Sequence, residues 1–85
     1  MEAFQERLLR EEEDRFVDHR FSRSLIIRLT GLRAASLDRF IVRYRPTVDF
    51  TRSATDYEFQ AYIKQCYYEY QRYLQMKQEL QLNDK

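Results

Sequence analysis

One glycine and one proline in eighty-five residues are too few for the tight turns of a hairpin-rich sheet, so the chain is predicted to be all-α. A single cysteine, Cys66, leaves no partner for an intramolecular disulfide, and no Cys or His stands at metal-ligand spacing from it. The one histidine, His19, lies between Asp18 and Arg20 with no second ligand nearby, the setting of a solvated side chain rather than of a metal or acid–base site. No run approaches the roughly 18–20 consecutive apolar residues of a membrane span. The stretch from Glu2 to Asp18 is acidic, not basic and then apolar as in a leader peptide. Neither insertion nor secretion is expected, and a reducing, cytoplasmic compartment fits the cysteine usage. A glycine-rich phosphate loop and a nucleophile-and-base pair are both missing, so the expectation is no enzyme, no cofactor, no metal and no small-molecule substrate.

What the chain does have is charge and aromatic side chains. Charged residues make up 34% and apolar residues 44%, which suits one small domain with solvated helical faces. A domain of this size buries only about 60–65% of its unfolded surface, so its core should be thin. The net charge of +1 conceals a strong asymmetry. Residues 1–19 carry seven acidic and three basic side chains, whereas residues 20–52 carry eight arginines against two acids. The acidic cluster Glu11, Glu12, Glu13 and Asp14 can be read either as a solvated face or as a dock for the arginine-rich middle.

Hydrophobic spacing and breakers predict a three- to four-helix domain spanning residues 1–85. A first helix is expected near 2–21, with Phe4, Leu8, Phe16 and Val17 on one side. A second is expected near 23–30, ending where the only glycine, Gly31, supplies a permissive backbone. A third is expected near 34–45, with Leu37, Phe40, Ile41 and Tyr44 on one face and Pro46 as its terminator. Residues 46–54 read as an ordered connector in which Val48 and Phe50 alternate with polar neighbours and pin it to the core. Thr55 and Glu58 form a capping-box pattern that starts a long helix near 55–81.

The long helix is rich in tyrosine: six of the seven tyrosines lie between Tyr57 and Tyr73. Phe59, Ile63, Cys66, Tyr70, Tyr73, Lys77 and Leu80 follow the alternating four- and three-residue spacing of a bundle or coiled-coil seam, interrupted by Lys77. Tyrosine offers a large apolar body with a polar tip, so these rings suit either a thin core or a protein interface. Phe59, Ile63, Tyr67, Tyr70, Tyr73 and Leu74 are the candidate surface for a homodimer or a protein partner. An adaptor or inhibitor binding through this helix is one functional expectation.

The other expectation comes from residues 23–45, a basic segment with the layout helix, glycine-containing turn, helix. Within it, Leu29-Thr30-Gly31-Leu32-Arg33-Ala34-Ala35-Ser36-Leu37-Asp38-Arg39-Phe40-Ile41 resembles the helix-turn-helix of AlpA-type and excisionase-type phage regulators. There Leu-Thr-Gly-Leu-Ser precedes a helix with a Leu-x-Arg-aromatic-Ile pattern. The resemblance spans thirteen to nineteen residues. It departs at Ile27, where the family has a small residue, and at Arg33, where it has a capping serine, a role that Ser36 could take instead. It implies a turn at Gly31, contacts by Leu32 and Leu37 between the two helices, and a core anchor at Phe40. It also implies that Arg33, Ala34, Ala35, Asp38, Arg39 and Val42 face duplex DNA, within a candidate DNA-binding set of Arg28, Arg33, Arg39, Arg43 and Arg45. Such a protein would be a small dimeric DNA-binding regulator of the kind that phages and mobile elements encode. Against this stands the reading in which the arginines solvate helical faces or pair with the acidic first helix.

Overall fold

The computed structural model describes residues 2–83, with side chains described over residues 6–80. Five helices follow one another: α1 (Glu2–Arg20), α2 (Arg23–Thr30), α3 (Ala34–Tyr44), α4 (Val48–Ser53) and α5 (Asp56–Asn83). The fold is all-α with a long C-terminal helix, and the four helices expected from spacing start and stop within two residues of the anticipated positions. Each boundary has a local cause. The Ser22 hydroxyl accepts from the Leu25 amide at 3.2 Å to open α2. Gly31, at φ +77°, closes it, donating its amide to the Ile27 carbonyl at 2.8 Å. At the start of α5 the Thr55 hydroxyl accepts from the Glu58 amide at 3.1 Å, while the Glu58 carboxylate accepts from the Thr55 amide at 2.9 Å.

The connector expected at 46–54 is instead largely the six-residue helix α4. Thr47 caps it, accepting from the Phe50 amide at 3.1 Å, and the Thr51 hydroxyl donates back to the Thr47 carbonyl at 2.7 Å. Six residues are too few to show a helical hydrophobic period, which is why the segment reads as a connector with Val48 and Phe50 alternating with polar neighbours. Both side chains do pack against the core, and fully buried Thr51 sits beside them.

One core gathers Val17 of α1, Phe21, Ile26 of α2, Leu37 and Phe40 of α3, and Phe59, Ile63, Cys66 and Tyr70 of α5. Phe40 is its hub. Its ring meets Phe21 at 6.3 Å, Tyr44 at 5.0 Å and Tyr70 edge-on at 5.8 Å between centroids. Arg20 knits the corner where α1, α4 and α5 meet. Its guanidinium donates to the Thr51 carbonyl and, at 2.8 Å, to the Ala54 carbonyl, pairs with Asp56 and lies 4.5 Å above the Phe59 ring. Those carbonyls close α4, where no further helical amide is available to them. The Tyr62 hydroxyl does the same for α3, donating to the Tyr44 carbonyl at 2.7 Å.

The seam of α5 is used inside the chain. Phe59, Ile63 and Tyr70, assigned from sequence to a partner surface, are buried in the chain's own core instead, Phe59 beside Phe21 and Phe50, and Tyr70 beside Phe40 and Tyr44. The reason is length. The eight residues of α2 and eleven of α3 cover only the first half of α5, whose 28 residues span roughly 42 Å at 1.5 Å per residue. Beyond Tyr70 the same face emerges, and Tyr73, Met76 and Leu80 are exposed. The first helix is one-sided only at its end: Val17 is buried, whereas Leu8, Leu9 and Phe16 are exposed. Phe4, placed on that face by its spacing, lies outside the described side chains. The molecule is accordingly elongated, 57 × 30 × 20 Å, with a radius of gyration of 16.0 Å. A compact chain of this length would have about 12 Å.

Candidate interaction groove

Beside Tyr70 a groove opens between α3 and α5. Its α3 wall is Asp38, Arg39, Val42 and Arg43, and its α5 wall is Tyr70, Tyr73, Leu74 and Lys77. These positions recur at three- and four-residue spacing on each helix, so each set lines a single face. The groove encloses about 440 Å³, and its floor is apolar. Val42 is 81% exposed, an unusual position for a valine next to the rings of Tyr70 and Tyr73.

Cations form the rim. Arg43 stacks its guanidinium over Tyr73 at 4.0 Å, flanks Tyr44 at 5.7 Å and donates from Nε to the Tyr44 hydroxyl at 3.3 Å. That hydrogen bond, ahead of every other influence, raises its pKa above the ordinary arginine value. Arg39 and Lys77 are exposed beside it. The one acid at the rim, Asp38, is already taken by Arg23 on α2 at 2.6 Å. An incoming ligand therefore meets three cations around an apolar floor.

The structure divides the five arginines assigned to DNA. Arg28, Arg33 and Arg39 are exposed and make no ion pair among the described residues. Arg43 is held flat on Tyr73. Arg45 turns back to α1, paired with Asp18 and, at 3.7 Å, with Asp14. Arg52 likewise reaches Glu13 at 3.6 Å. Of the two readings of the acidic cluster, docking onto the arginine-rich middle thus holds for Glu13 and Asp14, while Glu11 and Glu12 remain exposed. Neither Arg33 nor Ser36 makes a side-chain cap at the start of α3, although Arg33 occupies the cap position.

Among the partner-surface residues, Tyr67, Tyr73 and Leu74 keep accessible area, and the last two line the groove. Lys77 was legible only as the residue that broke the α5 seam. A lysine at a seam position signals that the seam opens to water there, which is where the groove lies. Cys66 is buried beside Tyr62, and burial pushes its thiol above the ordinary value, away from the reactive thiolate. Among the described residues no cluster of His, Cys, Asp and Glu could hold a metal ion, and no helix is long and apolar enough to cross a membrane.

The chain matches no protein-family model, no curated protein and no solved structure. Its function is therefore argued from this geometry.

Proposed function

We propose that this protein is a non-enzymatic helical adaptor whose groove between α3 and α5 receives an acidic, amphipathic helix of a protein partner. The observation that carries the reading is the pairing of an apolar lining, with Val42 81% exposed on its α3 wall, and a rim of Arg39, Arg43 and Lys77. An amphipathic helix binds such a groove through apolar anchors three, four and seven residues apart, while its acidic flanks meet the cations. The floor supplies desolvation, and the rim supplies orientation and a faster encounter.

Selection from a random peptide library on the immobilised full chain tests this. It should enrich peptides with apolar residues at helical spacing and acidic flanks, and their binding should fall on the Lys77→Glu variant. Absence of enrichment, or peptides that bind Lys77→Glu equally well, would reject the groove as the site.

A second reading is supported by the turn between α2 and α3. Gly31 adopts the left-handed backbone where the resemblance to phage regulators implies the turn, Leu37 and Phe40 are buried, and Arg33 and Arg39 lie on the outer side of α3. In this reading the protein binds duplex DNA with α3, as a dimeric regulator. With Arg28, Arg33 and Arg39 as the exposed, unpaired members of the assigned set, the logarithmic salt slope should be about −3. Fluorescence anisotropy on random duplex separates the two readings, because Arg33 lies outside the groove and Lys77 lies within it. DNA binding should be lost with Arg33→Glu and retained with Lys77→Glu, and peptide binding should show the reverse.

A further inference from the structure

We infer that the groove between α3 and α5 is filled by α1 of a second copy of this chain, which makes the protein a reciprocal homodimer. The inference rests on the groove reading above and names its occupant.

The argument begins with α1. Its residues 6–16 carry an apolar stripe that its own chain covers only in part: Leu9 is 59% exposed and Phe16 38% exposed, with the carboxylate of Glu12 on the same face between them at i, i+3 and i+7. Leu8, 45% exposed, widens the stripe. Leu9 and Phe16 line a concavity of about 450 Å³ shared with Glu12, Glu13 and Arg52. An apolar helical stripe edged by carboxylates is the chemical complement of an apolar groove edged by Arg39, Arg43 and Lys77. Residues 1–19 hold seven acids against three bases; Glu13, Asp14 and Asp18 are paired within the chain, and Glu6, Glu11 and Glu12 make no ion pair among the described residues.

Within one chain the two surfaces belong to different parts of the fold, because α1 packs on α4 and the groove lies between α3 and α5. Each copy therefore offers one donor face and one acceptor face. Two such contacts related by a two-fold axis close the assembly at a dimer and bury both faces, whereas an open head-to-tail chain would leave a face exposed at each end. The dimer differs from one built on the α5 seam, whose Phe59, Ile63 and Tyr70 are already buried within the monomer.

Sedimentation equilibrium of the full chain tests this, with circular dichroism to confirm that each variant is folded. The wild type should show a species of twice 10.6 kDa. Arg39→Glu/Lys77→Glu reverses the groove, and Glu12→Lys/Glu13→Lys reverses the helix. All four residues are at the surface, and the Glu13–Arg52 pair that is lost is solvent-exposed, so the monomer fold should survive. Each double variant alone should dimerise at least roughly tenfold more weakly, since like charges then face each other. The decisive result comes from mixing the two. In the mixed dimer one contact has wild-type charges and the other has them exchanged, so an equimolar mixture should recover the dimer mass. A wild type that stays monomeric at several hundred micromolar overturns the inference, as does a dimer that neither variant weakens or a mixture that does not recover. The peptide selection then judges the groove independently: enriched acidic peptides with a monomeric wild type would reject only the self-association, and no enrichment would reject the groove itself.

Discussion

In the turn between α2 and α3, Gly31 at φ +77° and Ala34 at φ +54° both occupy the left-handed region, where an L side chain costs roughly 1–2 kcal/mol. Glycine avoids that cost and alanine bears it. Gly31→Val should therefore lower stability by more than about 1 kcal/mol, even though a Cβ at that position would meet nothing within 4 Å. Ala34→Gly should raise stability by about 0.5–1 kcal/mol, the relieved strain less the extra freedom glycine gives the unfolded chain. Urea titration of both variants checks the pair, and an unstable Ala34→Gly would show that the left-handed alanine is not strained. Arg20 carries a different kind of residue-level constraint. Its planar fork serves two carbonyls and a carboxylate at once while its face lies on Phe59, which an ammonium group cannot reproduce.

Among the helices, α5 has the most explicit start. The reciprocal bonds of Thr55 and Glu58 satisfy two helical amides, and acceptance from the Thr55 backbone amide is the leading reason that the Glu58 carboxyl lies below its ordinary pKa of 4.5. A carboxyl with a depressed pKa in the folded state stabilises the fold above its unfolded pKa, and that contribution is lost as pH falls through the folded value. The melting-temperature gap between wild type and Glu58→Ala should therefore be constant from pH 7 down to the ordinary glutamate value and close below it. A gap that persists at pH 2.5 would mean that the carboxylate charge is not what closes the box. The helix that begins there outruns its neighbours, which leaves Tyr73, Met76 and Leu80 exposed.

Across the whole molecule, stability rests on a core of few side chains in an elongated body. An 85-residue domain is held by roughly 4–13 kcal/mol in total, and replacing a fully buried phenylalanine with alanine costs about 3–5 kcal/mol. Phe40, which touches three other rings, should therefore leave a substantial unfolded fraction at 25 °C when changed to alanine, measurable as a lowered helical signal without denaturant. Val42→Ala, at an exposed position of the same helix, should leave the helical signal of the dilute, unassociated chain intact.

The amino-acid sequence by itself determined the helical class, the four principal helices and their boundaries, because these follow from local causes: a lone glycine, a lone proline, a capping box and helical spacing of apolar residues. It also marked Leu37 and Phe40 as inward-facing. It did not disclose α4, whose two turns carry too little periodicity, nor which stretch of α5 stays exposed. Seam spacing is the same whether a helix packs on its own chain or on another, and only the lengths of α2 and α3 in three dimensions decide where burial ends. The arginines show the same division. Composition placed eight of them in the middle third, but whether each is free, stacked or paired depends on long-range approach: Arg45 meets Asp18 twenty-seven residues away, and Arg20 meets Asp56 thirty-six residues away. Charge pairing acts through space over a few ångströms, so tertiary packing chose which cations remained unpaired.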